Sequence, residues 1–242
     1  IQLNLHGTIG LLLLPCSMKL HRNTTQGVID ALEMIFADNK YADKVIEKML
    51  RQNPKWGARD RRFIAETTYD IVRWYRLLKE VTGASAGDYW KLLAGYCIMQ
   101  DISLPFWDEF KDVSPQEIKE RLKGSAHIRS VKQSVPDWLD EMGQAELAER
   151  WDPELAALNE EARVVLRVNT LKTTREHLQQ LLREQNAETY PDDRFPDALI
   201  LTERQNVFGL PAFKEGLFEV QDAASQLVAP FLQVKPGLRV ID

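Results

Sequence analysis

Three sets of side chains have the types and spacing to grip a polyanion or to assist a reaction. Arg59, Arg61 and Arg62 lie in Arg59-Asp60-Arg61-Arg62-Phe63, inside a stretch (48–79) that holds nine basic residues against three acidic ones. Arg167, Asn169 and Lys172 place two cations and a two-way amide in Leu166-Arg167-Val168-Asn169-Thr170-Leu171-Lys172. Such groups bind phosphate through charge-assisted hydrogen bonds, and an amide can read a base edge. The third set, Gln221, Asp222 and Ser225, stands in Gln221-Asp222-Ala223-Ala224-Ser225, where the carboxylate suits the free amides of a helix start. Each set also has a plainer reading. Arginines keep helix surfaces soluble, Asn169 and Thr170 can simply close a strand and cap the next helix, and Asp222 can be a cap and nothing more.

Other chemistry is thin. The net charge of -5 disguises segregation, because 121–132 carries four bases and no acid. Cys16 and Cys97 are too few for a disulfide framework or a four-ligand zinc site. Cys97 sits in the apolar run 92–99 and reads as a small buried hydrophobe. His21, His127 and His177 are scattered without metal-ligand spacing, so no metal is expected.

The elements that must position these residues follow from the period of the apolar positions. Val28, Ala31, Leu32, Ile35 and Phe36 predict one amphipathic helix, and Ala42, Val45, Ile46, Met49 and Leu50 another. A third, over about 60–79, turns Phe63, Ile64, Thr67, Ile71, Trp74, Tyr75 and Leu78 inward. Ser114-Pro115-Gln116-Glu117 offers an N-cap, a proline at the first helical position and a capping-box glutamate. Pro136 and Asp152-Pro153 open two more helices, so 18–150 is expected to be all helical.

After Arg163 the pattern changes. The β-branched run 164–168 predicts a strand, and Leu178, Leu181 and Leu182 mark a helix from near Thr174. Strands are expected at 186–190 and 198–201, separated by a turn-rich 191–197, and at 216–221. This order suits a small α+β unit of ferredoxin or RNA-recognition type. A helix from Asp222 through Leu232 then leads by Pro236-Gly237 into an apolar strand closing on Asp242, in the manner of the first strand of a nucleotide-binding α/β domain.

Residues 1–17 contain no Lys, Arg, Asp or Glu, and the run Ile9-Gly10-Leu11-Leu12-Leu13-Leu14 is too short to span a membrane. With Met18 the first methionine, 1–17 is expected to be read-through or a disordered tail.

Two of the motifs carry a resemblance. The segment from Leu166 to Lys172 resembles the Arg-x-Asn-Thr-Leu-Lys signature of the Sun (RsmB-like, NOL1/NOP2/Sun) family of RNA 5-methylcytosine methyltransferases. Gln221-Asp222-Ala223-Ala224-Ser225 resembles that family's Gln-Asp-x-Ala-Ser motif, at the expected distance before a strand ending in Asp. The likeness covers 134–242, beginning near Ser134-Val135-Pro136-Asp137-Trp138-Leu139. More loosely, the helical region resembles a NusB-like RNA-binding domain, with Arg59-Asp60-Arg61-Arg62-Phe63 its clearest piece.

The resemblance implies a multi-domain fold: an all-α NusB-like domain (18–150), a small α+β ferredoxin/RRM-like domain (151–221), and the first helix and strand of a truncated Rossmann-like methyltransferase domain (222–242). It implies that Arg59, Arg61, Arg62, Arg167, Asn169 and Lys172 contact RNA, ribosomal RNA by expectation. In the implied reaction a cysteine thiolate attacks C6 of cytosine, C5 takes a methyl group from S-adenosylmethionine, and a second cysteine assists release. Both cysteines and the cofactor loop are expected downstream of Asp242. No catalytic residue is therefore expected here, the Pro15-Cys16 match to the family's catalytic dipeptide is taken as coincidence, and the chain alone is expected to be inactive. Gln221, Asp222, Ser225 and Asp242 would stand behind the cofactor pocket without touching the cofactor. A cytoplasmic monomer without membrane or metal completes the expectation. A free-standing NusB-like RNA-binding or antitermination factor, and a helical protein-interaction module, are the alternatives.

Overall fold

The computed structural model describes residues 19–241. Cys16, Asp242 and the tail 1–17 lie outside the described residues. The chain divides into two compact units, 1–160 and 161–242.

The first unit is built from α1 (Arg22–Phe36), α2 (Ala42–Gln52), α3 (Ala58–Arg73), α4 (Tyr75–Thr82), α5 (Tyr89–Met99), α6 (Pro115–Ser125), α7 (Arg129–Lys132), α8 (Asp137–Leu147) and α9 (Trp151–Leu158), with 3₁₀ turns at Asp108–Phe110 and Ala148–Arg150. No strand occurs among its described residues, as the periodicity requires. α1 packs on α2, α3 and α5 through Val28, Ala31 and Leu32, all fully buried. α5 is apolar on nearly every side, so it lies inside: Leu93, Ala94, Tyr96 and Cys97 expose nothing. Tyr96 anchors it by donating to Asp70 at 2.9 Å, and burial pushes the Cys97 thiol up to about 12. The Ser114 hydroxyl accepts from the Glu117 amide at 3.3 Å and starts α6 as its sequence predicts.

The single helix predicted over 60–79 is two. α3 ends at Arg73 and α4 begins at Tyr75, with Trp74 between them at φ -98°, ψ 18°. The reason is a long-range bond: the Arg76 amide donates to the Ser134 hydroxyl at 3.2 Å. The Arg76 guanidinium then donates to the Val135 carbonyl at 2.7 Å and to Asp137 at 2.6 Å. A tertiary clamp has replaced one rung of the helix.

Arg129, Asp140 and Trp151 form a second clamp. The Asp140 carboxylate accepts from Arg129 at 2.6 Å and from the Trp151 indole at 2.8 Å. Burial alone would raise this carboxyl, but those bonds and the Arg129 charge outweigh it and hold it below the usual carboxylate range. The stability that follows is fully present above the ordinary carboxylate pKa and is lost as pH falls through the depressed folded value. Thermal melts from neutral to acid pH should therefore fall more steeply for the wild type than for Asp140→Asn; parallel curves would show that the ion pair contributes nothing.

The second unit runs β1 (Val165–Val168), α10 (Arg175–Glu184), β2 (Thr189–Asp192), β3 (Phe195–Leu201), α11 (Pro211–Lys214) and β4 (Phe218–Val220). The sheet order is β2-β3-β1-β4, antiparallel throughout, with Leu166 opposite both Leu199 and Val220. Sequence order βαββαβ in this arrangement is the ferredoxin-like topology. α10 covers one face, burying Leu178 and Leu182 against Leu166, Leu199 and Phe218. Val165, Ala198 and Ile200 point the other way and meet Phe195 and Ala223.

Three expectations need correction here. The stretch 191–197 is not a loop: β2 and β3 run on to Asp192 and back from Phe195, leaving only Asp193 and Arg194 as the turn. Pro191 is tolerated because β2 is an edge strand whose missing N–H faces no partner, and the register shifts beside it. The regular helix expected over 222–232 is instead a 3₁₀ turn (Ser225–Leu227) followed by one turn of helix, α12 (Val228–Phe231). Pro230 brings no N–H to continue the ladder. The strand expected before Asp242 joins no ladder among the described residues, and Leu238, Val240 and Ile241 are exposed. α11, which completes the ferredoxin-like order, carries no apolar period long enough to be read from sequence.

Candidate nucleic-acid interface

β1 ends in a latch. The Asn169 amide nitrogen donates to the Gly216 carbonyl at 2.8 Å, its amide oxygen accepts from the Leu171 N–H at 3.2 Å, and its backbone N–H donates to Leu217 at 2.9 Å. Three residues on, the Lys172 ammonium donates to the Glu215 carbonyl at 2.7 Å. Gly216 sits at φ +68°, in the left-handed region, and a β-carbon there would come within 2.9 Å of the Lys172 nitrogen. Thr174 then caps α10 by accepting from the His177 amide at 3.2 Å. The motif thus ties the end of β1 to the turn before β4. Both ends of the Asn169 side chain are engaged, which favours the plainer reading of that residue.

Arg167 points to the face of the sheet away from α10, and is exposed. It donates to the Gln221 side chain at 3.1 Å, which engages one of five guanidinium N–H groups. Tyr190 and Arg163, unnoticed in the sequence, belong to this surface: Tyr190 pairs with Ile200 and its hydroxyl accepts from Arg163 at 2.9 Å. The sequence offered Tyr190 only as the aromatic of a short strand, and its basic partner, 27 residues away, is brought to it by the fold. Arg167, Arg163 and Tyr190 together offer two cations and a half-exposed ring on one sheet.

The helical arginines have separate surroundings. Arg61 donates to the Trp56 carbonyl at 3.0 Å and the Asn53 carbonyl at 3.4 Å, holding the link between α2 and α3. Arg62 pairs with Glu66 at 2.8 Å one turn along. Arg59 is exposed at the start of α3.

The third set is engaged in local hydrogen bonds. The Asp222 carboxylate accepts from the amides of Ala224 at 2.9 Å and Ser225 at 3.4 Å, so it leads into the 3₁₀ turn at Ser225–Leu227 instead of capping the regular helix its sequence predicts. Gln221 is bonded to Arg167 through its side chain and accepts from the Gln226 side chain through its carbonyl at 3.1 Å. The Gln221 and Asp222 side chains are thus taken up locally, and Asp242 lies outside the described residues. Among the described residues no group of three His, Cys, Asp or Glu side chains is gathered as a metal site, and no helix is long and apolar enough to cross a membrane.

Comparison with known proteins agrees with this geometry. Residues 135–208 match the model of the ferredoxin-like domain of RsmF/B-like methyltransferases, so the chain carries the domain class that its sheet topology displays. The chain resembles the Sun/RsmB-like family. It is similar to proteins named ribosomal RNA small subunit methyltransferase B: 35% identical over 116 residues to that of Pseudomonas syringae pv. tomato (48% of this chain, 26% of the relative). It is 35% identical over 127 residues to that of Pseudomonas putida (52% and 29%) and 36% over 107 residues to that of Vibrio cholerae (44% and 25%). The aligned region therefore spans about a quarter of the length of these relatives. A solved structure, described as the crystal structure of PH0851, superposes with a TM-score of 0.60 at 20% identity, covering 91% of this chain and 57% of the other; that likeness concerns the fold alone.

Proposed function

We propose that this chain is the RNA-binding and substrate-positioning part of an S-adenosylmethionine-dependent ribosomal RNA cytosine-C5 methyltransferase. The observation that carries the reading is the ferredoxin-like domain at 135–208, which matches a methyltransferase-associated family and presents Arg167, Arg163 and Tyr190 on the sheet face away from α10. A cation pair beside a ring suits single-stranded RNA, whose phosphates seek the guanidinium groups and whose bases stack on aromatics. The latch of Asn169 and Lys172 keeps that strand end rigid while RNA is held. In the same reading the first unit is a NusB-like RNA-binding domain, and Gln221, Asp222 and Ser225 support the approach to the cofactor from behind. Transfer of the methyl group is the cofactor's chemistry and belongs to residues other than the ones described.

The test is made in cells. Disrupting the gene for this protein should abolish 5-methylcytosine at one or a few positions of small-subunit ribosomal RNA, read by bisulfite sequencing, and restoring it should bring the mark back. An unchanged methylation pattern would end the proposal.

A further inference from the structure

We infer that a second RNA contact lies on the helical unit, in the cleft between the end of α1 and the start of α2, and that it takes one nucleotide of a single strand. The inference rests on the proposed RNA-binding role and gives the helical unit's share of it a specific site. The cleft encloses about 330 Å³ and is lined by Met34, Asn39, Lys40, Tyr41, Lys44, Val45 and Lys48.

Its composition matches the parts of a nucleotide one by one. Lys44 and Lys48 lie four apart on α2 and so share one side of it, and Lys40, just ahead of the helix, lines the same cleft. Tyr41 precedes the first turn of that helix and is 82% exposed, which leaves its aromatic side chain open to stack on a base. Asn39, held at φ +52° by the turn that closes α1, adds an amide that can donate to and accept from a base edge. Met34 and Val45 supply an apolar floor.

The charges favour RNA over a protein partner. Asp38 bonds Lys40 at 2.6 Å and Asp43 lies 3.8 Å from Lys44, but both pairs are exposed and yield to a phosphate at little cost. No ion pair engages Lys48 among the described residues. Arg51 at the end of α2, Lys55 in the link that follows and Arg59 at the start of α3 are exposed as well, further cations for a sugar-phosphate backbone.

Fluorescence anisotropy of the 242-residue chain with a short labelled oligouridylate, repeated across salt concentrations, decides the matter. Lys44→Glu with Lys48→Glu should weaken binding at least tenfold and flatten the plot of log K against log salt by about 1.4, two single-strand phosphate contacts at roughly 0.7 each. Tyr41→Ala should weaken binding about tenfold with the slope unchanged, since stacking releases no counterions, and Tyr41→Phe should restore it. Unaltered melting curves confirm that these surface variants remain folded. If Arg167→Glu weakens binding while the α2 variants do not, the cleft is not an RNA contact and the inference is overturned, although the proposed function stands. If the wild-type chain binds no RNA, both fall.

Discussion

Alanine at position 143 is expected to destabilise the helical unit by about 3 kcal/mol, an overpacking cost at the upper end of the usual range. A β-carbon on Gly143 would lie 2.3 Å from one atom of the Trp151 ring and 2.4 and 2.5 Å from two others. The ring has nowhere to go. It is 4% exposed, and its indole N–H is committed to Asp140, itself bonded to Arg129. α8 and α9 would have to separate, loosening Val135 and Leu155 with them. Gly124→Ala serves as the control, because nothing stands within 4 Å of its β-carbon and a helical glycine gains about 0.5–1 kcal/mol on becoming alanine. Trp151→Leu should relieve the Gly143→Ala defect, so chemical denaturation of the double variant should show strong non-additivity. A Gly143→Ala variant as stable as the wild type would mean that the ring is not held as described.

The second large effect concerns Asn169. Asn169→Ala should cost the α+β unit about 2–3 kcal/mol, because it removes two hydrogen bonds and leaves the Gly216 carbonyl and the Leu171 amide without these partners. Asn169→Asp separates structure from recognition. It keeps the acceptor for Leu171 but sets a carboxylate oxygen against the Gly216 carbonyl where a donor stood, so it should be as damaging as alanine. Were Asn169 chiefly an RNA contact, both variants would melt like the wild type and lose only affinity. Equilibrium unfolding followed by far-ultraviolet circular dichroism distinguishes the outcomes.

Much of this fold was legible because burial repeats along the chain. The inward positions of α1, α2 and α3 were read from spacing, and Leu178 and Leu182 marked the covering helix of the sheet. Failures arose where a distant partner decides the outcome. Ile71, Trp74, Tyr75 and Leu78 keep helical spacing across Trp74, so nothing local announces that Ser134 will claim the Arg76 amide. Pro191 and Pro196 looked like loop residues because the sequence does not say which strand will lie at an edge. Of the site, the motif around Asn169 was legible as a place but not as a latch, since Glu215 and Gly216 lie more than forty residues away. Likewise Arg61 read as a free cation, and only folding shows it occupied by the carbonyls that follow α2. Lys40 and Lys44 escaped notice because acidic neighbours dilute their charge in a linear count.

The sealed position of Cys97 has a practical corollary. A thiol that is both enclosed and protonated at neutral pH reacts with alkylating reagents only when α5 is uncovered. With Cys16 replaced by serine, the speed of labelling becomes a clock for the rare breathing of the helical unit.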